Sequence, residues 1–65
     1  MEVVYRVWGP GLSSDVWLLA ASDAKAIEKV ATVFMLNPLD LWAAPDKTVA
    51  VASGVILYGG KSIEF

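Results

Sequence analysis

The sequence predicts an α+β fold in the order β-β-α-β-β, with a mostly antiparallel sheet of four to five strands and one helix packed on one face. Three observations predict it: strand-like stretches lie near both ends, one stretch between them has helical periodicity, and glycine and proline clusters separate the segments. At 65 residues the chain has room for one core. Residues 1–65 are therefore expected to form a single small α+β domain.

The first two strands are predicted on either side of a glycine-rich loop. Residues 2–8 alternate between two faces, with the period of two that is typical of a strand. A Gly-Pro-Gly stretch follows, which removes an amide donor and permits positive φ angles, so residues 9–15 are predicted to form an exposed loop. Residues 16–21 are almost entirely apolar and predict the second strand.

The helix is the clearest periodic segment. Ser22 and Asp23 are typical of a helix start, because their side chains accept hydrogen bonds from free amides of the first turn. The helix is predicted to run from there to about Leu36. Its polar and apolar side chains fall on opposite faces. The predicted apolar face consists of Ala24, Ile27, Val30, Ala31 and Phe34.

A longer helix is the alternative prediction. A helix from Ser13 or Ser14 to Leu36 would change the order to β-α-β-β. Extending the helical wheel backward, however, places Asp23 on the apolar face and Leu18 on the polar face. Because the phase breaks at this point, a strand followed by a helix is preferred.

A short helical turn is predicted after the helix. Asn37 is a suitable cap, Pro38 fits the first helical position, and Asp40 supplies an acid in the first turn. Pro45 and Asp46 then predict a turn. Asp40 and Asp46 are thus explained by local structure, which makes them weak candidates for catalysis or metal binding.

The remaining strands are predicted in the last third of the chain. Residues 47–52 alternate and predict a strand, and Ser53-Gly54 suits a tight hairpin turn into a strand at residues 55–58. Gly59-Gly60 fits either a second hairpin turn or a bulge. Residues 61–65 alternate and are predicted to form an edge strand.

The composition argues against an enzyme. The chain has no histidine and no cysteine, so it lacks the commonest general base and the best soft metal ligands. Its serines lie in loop, turn or cap positions with no histidine to activate them. We therefore expect no catalytic residue, no metal site and no cofactor.

Charge and hydropathy exclude two further classes of partner. Five basic residues are scattered along the chain and outnumbered by seven acidic ones, which disfavours direct nucleic-acid binding. The longest apolar stretch, residues 49–60, is shorter than the roughly 20 residues that a membrane-spanning helix needs. No positively charged, apolar leader follows Met1. The chain is expected to act in the cytoplasm of the cell in which it is made.

The apolar excess predicts a protein partner. Hydrophobic residues make up 57% of the chain, more than one small core needs. One helix covers only one face of a sheet, and the sequence does not identify which face that is. We expect a protein-binding or assembly module that forms a homo-oligomer through the other face. Trp8, Trp17 and Trp42 are its best candidate contacts, because tryptophan is enriched at binding hot spots.

Two alternative functions belong to other classes. The stretch Ala21-Ser22-Asp23-Ala24-Lys25-Ala26, which leads from a strand into the helix and is followed by a hairpin, resembles the plan of small phage-encoded inhibitors, including some anti-CRISPRs. This resemblance implies a mobile-element protein that blocks a host complex. Its acidic contact surface would consist of Asp15, Asp40, Asp46 and Glu64.

The third function is an oligomeric carrier of an aromatic or flavin-type small ligand. With the longer helix, the length and the β-α-β-β order would resemble dodecins, which assemble into flavin-binding shells.

Overall fold

Five strands and one α-helix form in the predicted β-β-α-β-β order, with the last part contributing three strands. The computed structural model describes residues 1–64. Its elements are β1 (Val3–Trp8), β2 (Val16–Ala20), α1 (Asp23–Phe34), a 3-10 turn (Pro38–Asp40), β3 (Trp42–Pro45), β4 (Val55–Tyr58) and β5 (Lys61–Glu64). The strands form one antiparallel sheet in the order β3-β1-β2-β4-β5.

The helix begins where the capping residues predict. The Ser22 hydroxyl accepts a hydrogen bond from the Lys25 amide at 3.2 Å, which satisfies one free donor of the first turn. The helix ends at Phe34 and is capped by Met35, which has a left-handed φ of 57° and whose amide donates to the Ala31 carbonyl. The longer helix is wrong, because residues 16–20 pair with β1 along their whole length.

The core lies between the helix and one face of the sheet. The buried positions lie on one side of β1, β2 and β4, on one stripe of the helix, and at Leu41. They comprise Val7, Val16, Leu18, Ala20, Ala26, Val30, Ala31, Leu41 and Ile56. The predicted apolar stripe is nearly correct: Ala26 is buried in place of Ala24, which is exposed. The helix therefore covers the face that carries Val7 and Leu18.

The strand predicted at residues 47–52 does not form. The third strand is instead β3, and residues 46–54 connect it to β4. In the sheet, β1 and β2 lie between β3 and β4 and are each paired on both sides, so this connection crosses from one side of them to the other without pairing with either. The alternation of residues 47–52 is a strand pattern without a strand partner within the sheet.

The last two strands form a hairpin closed by Gly59 and Gly60. Their φ angles are 59° and 80°, as a two-residue type I′ turn requires, so the turn forms and not the bulge. Ser53-Gly54 also forms a turn, but it leads from the connection into β4 and closes no hairpin. β5 is the predicted edge strand. Phe65, which was predicted to extend it, lies outside the described residues.

Among residues 1–64, no helix is long and apolar enough to cross a membrane.

Gly9 is predicted to tolerate substitution less well than Gly60. A Cβ atom at Gly9 would collide with the Asp40 carbonyl oxygen and lie 2.9 Å from a Leu41 methyl group, whereas nothing lies within 4 Å of one at Gly60. Gly60→Ala should cost about 1 kcal/mol for its left-handed backbone, and Gly9→Ala more, because β1 and the 3-10 turn must separate. Urea unfolding measures both. Equal losses would contradict this close approach.

Candidate functional site

The uncovered face of the sheet carries all three tryptophans. Strand register places alternate residues there, and we call this surface the tryptophan face. It consists of Val4, Arg6, Trp8, Trp17, Leu19, Trp42, Ala44, Val55 and Leu57, with Ser62 and Glu64 at the β5 edge. Its middle row runs across all five strands as Ala44, Arg6, Trp17, Leu57 and Ser62.

Trp8 and Trp42 are direct partners across the β1–β3 pair. Side chains in this relation stand about 5 Å apart at Cβ, so the two indoles lie beside each other at one end of the face. Trp42 is 54% exposed even though it is one of the largest apolar side chains, and Trp8 is half-buried. This end of the tryptophan face offers the most apolar area to a partner.

Arg6 lies at the centre of the tryptophan face and is its only cationic side chain. Its guanidinium carbon lies 4.9 Å from the centre of the Trp8 ring, a cation–π distance. Its Nη1 atom lies 3.5 Å from Oδ2 of Asp15. Across the strands it pairs with Trp17 on one side and Ala44 on the other. The two contacts place the guanidinium over one tryptophan ring and beside a carboxylate.

Trp17 is fixed by the carboxylate that follows β3. Its indole Nε1–H donates to Oδ2 of Asp46 at 2.9 Å, and the Thr48 amide donates to Oδ1 at 2.9 Å. Hydrogen bonds from the Thr48 hydroxyl, the Trp17 indole and the Thr48 amide lower the pKa of Asp46 to about 2. The start of the connection between β3 and β4 is thereby held against the tryptophan face.

Six of the seven candidate contact residues meet on this surface. Trp8, Trp17, Trp42 and Glu64 belong to it, and Asp15 and Asp46 bind its side chains. Asp40 does not, because it lies in the 3-10 turn, which contacts the helix. Of the four acids proposed as one contact surface, Asp15, Asp46 and Glu64 therefore lie on or beside the tryptophan face, and Asp40 lies apart from it.

Arg6 is the residue that sequence reasoning missed. Alternation along β1 places it on the same side as Trp8, and that was the available signal. Its contacts with Asp15 and Trp17 depend on strand register, which one strand pattern does not contain.

Comparison with protein-family models, with curated proteins and with solved structures finds no match.

The described residues contain no metal-binding group of three or more histidine, cysteine or acidic side chains. Ser13 and Tyr58 form a pair of hydrogen-bonded hydroxyl side chains at the rim of the sheet. The Ser13 amide donates to the Tyr58 hydroxyl at 3.1 Å, and the two hydroxyls lie 2.8 Å apart. These hydrogen bonds lower the pKa of Tyr58. The Tyr58 ring packs 4.8 Å from that of Phe34, so the pair joins the first loop to the core.

A groove of about 500 Å³ lies on the helix side of the molecule. Ala24, Ile27, Ala31, Leu36 and Pro38 supply its apolar lining, and Glu28 and Thr32 are its polar side chains. No aromatic ring contributes to this lining among residues 1–64, so the groove itself offers no stacking surface for an aromatic ligand.

The hydrogen bonds to Asp46 predict an unusually acidic titration. Because the pKa of Asp46 is lower in the folded chain than its ordinary value of 3.8, the ionised carboxylate stabilises the fold at pH values above 3.8. This contribution is lost as the pH falls toward about 2. In NMR spectra, the Trp17 indole proton should therefore titrate with a midpoint near 2.

Unfolding measurements provide the second readout. Asp46→Asn should flatten the loss of stability between about pH 4 and pH 2. Asp40→Asn is the matched control, since the Asp40 carboxylate makes no hydrogen bond within residues 1–64, and it should keep the wild-type slope. A Trp17 midpoint near 3.8 would contradict the assignment.

Proposed function

We propose that this chain is a non-catalytic assembly module that self-associates through the tryptophan face, with the sheets of two copies packed face to face. The observation that carries the proposal is the gathering of Trp8, Trp17 and Trp42 around Arg6 on the one sheet face that no helix covers. Tryptophan and arginine dominate the binding energy of protein interfaces. Sheets with apolar faces pack together about 10 Å apart in β-sandwiches.

The edges of the sheet favour face-to-face over edge-to-edge association. One edge is β3, where Pro45 has no amide to donate. The other is β5, which carries Lys61 and Glu64 on four residues. Short strands, charges and proline are the devices that keep sheet edges from pairing. The broad face between them is the surface left for a second copy.

The electrostatics of the face are compatible with burial. Arg6 already has Asp15 as a partner, so association removes a pair from water and not a lone charge. Two of the indoles have polar or cationic partners within the same chain, Trp17 with Asp46 and Trp8 with Arg6. The Arg6 charge and the Trp17 indole N–H therefore keep these partners when the face is buried.

The size of the face predicts a reversible dimer. At about 4.8 Å between strands and 3.3 Å per residue, it projects roughly 20 by 17 Å, which is small for a surface that must bury the ~800 Å² of accessible area that each partner contributes to a standard interface. We expect dissociation in the micromolar range, where a few hot-spot side chains decide the affinity.

A catalytic role has little support. The chain has no histidine or cysteine, and Asp15 and Asp46 are engaged by Arg6, Trp17 and Thr48.

The first prediction concerns Trp8. Light scattering behind size-exclusion chromatography, across a concentration series, should show a monomer–dimer equilibrium. Trp8→Ala should weaken it about thirtyfold, as loss of a hot-spot side chain worth about 2 kcal/mol does. Leu39→Ala is the matched control, because Leu39 is apolar and 87% exposed but lies outside the tryptophan face. A wild-type chain that stays monomeric at high micromolar concentration would sink the proposal and indicate a different protein partner.

The second prediction concerns the Arg6–Asp15 pair. Asp15→Ala should weaken dimerisation about tenfold, because the dimer would then bury an unpaired guanidinium. Adding Arg6→Met, which keeps the apolar stem, should restore much of the affinity. Asp40→Ala is the control and should have no effect. If the affinity losses from Asp15→Ala and Arg6→Met simply add in the double variant, the Arg6–Asp15 pair stays solvated in the dimer.

A further inference from the structure

The connection between β3 and β4 contains a strand-like segment without a strand. Residues 48–52 read Thr-Val-Ala-Val-Ala, and their alternation and β-branched side chains favour extended structure. They nevertheless form no strand in their own sheet. Places where a strong local pattern and the fold disagree are often functional.

The backbone of this segment has free hydrogen-bonding groups. Within residues 1–64, the amides of Val49, Ala50 and Val51 donate to no other residue. Thr48 differs, because its amide donates to Asp46. Ala50 is exposed, and Val49 and Val51 are half-buried. A β-prone segment with unpaired donors and acceptors at the surface is a template for pairing with another strand.

The segment is complementary to itself. Antiparallel pairing about a two-fold axis at Ala50 sets Val49 of each copy opposite Val51 of the other, with all four valines on one side. In this register, either Val49 and Val51 or Thr48, Ala50 and Ala52 can form the hydrogen-bonded pairs. The free amides favour Val49 and Val51, because the other pattern needs the Thr48 amide, which already donates to Asp46. Ala50 then meets its copy at the closest approach, about 4.5 Å between Cα atoms, where a small side chain fits.

The position of the segment ties it to the proposed interface. Asp46 holds both Trp17 and Thr48, so the segment starts at the tryptophan face. We propose that residues 48–52 form a two-stranded antiparallel ribbon with the same residues of a second copy. This inference rests on the proposed self-association, since it names the second copy as the partner and extends its contact surface. The turn and bend at residues 47–49 straighten when the ribbon forms.

Amide exchange tests the ribbon at single-residue resolution. Hydrogen–deuterium exchange of the wild-type chain is followed by NMR at concentrations below and above the dissociation constant. We expect the Val49 and Val51 amides to become at least about tenfold more protected in the dimer, and the Ala50 amide, which points away from the partner, to stay fast. Unchanged exchange of Val49 and Val51 in a dimer would overturn the ribbon and leave the tryptophan-face proposal standing.

Proline variants provide a matched pair. Val51→Pro removes one ribbon donor from each copy, and the loss of two hydrogen bonds should weaken dimerisation about thirtyfold. Ala50→Pro constrains the chain similarly but removes an amide that the ribbon does not use, so dimerisation should persist. Both amides are unpaired in the described part of the chain, so both variants should keep the fold, which circular dichroism checks. Equal affinities for the two variants would contradict the ribbon.

The two proposals fail in different ways. If Trp8→Ala weakens dimerisation and Val51→Pro does not, the ribbon proposal alone is wrong. If Val51→Pro weakens dimerisation and Trp8→Ala does not, the tryptophan-face proposal is wrong and the ribbon proposal stands. A wild-type chain that is monomeric at every concentration removes both.

Discussion

The structure depends on one geometric constraint: a single 12-residue helix covers one face of a five-stranded sheet. On that face the side chains of Val7, Leu18 and Ile56 are completely buried, and each contributes about 1.5–3 kcal/mol through the apolar surface it removes from water. The other face has no such cover. Strand alternation nevertheless places apolar residues on it, so the sheet has more apolar area than the helix can remove from water.

Trp17 connects the unusual features of the molecule. It lies in the middle row of the tryptophan face beside Arg6, and its indole is bound to Asp46. Asp46 in turn fixes Thr48 and the start of the long connection. The aromatic cluster, the low pKa of a carboxylate and the path of the connection between β3 and β4 are therefore parts of one hydrogen-bonded arrangement.

The elements that could be predicted are those with local causes. The Ser22 cap and the change of period defined the helix, and paired glycines were compatible with the last turn. Residues 47–52 were predicted wrongly because alternation reports the propensity of a segment, whereas strand formation also requires a neighbour in the sheet. The importance of Arg6 was missed for a related reason: its partners come from β2 and from the loop before it, and register is a property of the pairing.

The strand order has a consequence for how the chain folds. β1 and β2 lie inside the sheet and are joined by a seven-residue loop at residues 9–15, so this part of the sheet forms from strands that are close in sequence. Local hairpins close faster than distant pairings. We expect this hairpin to form early, with β3 and the β4–β5 hairpin added from opposite sides. Sheet assembly would then proceed outward from the centre, and unpaired central strands would be short-lived during folding.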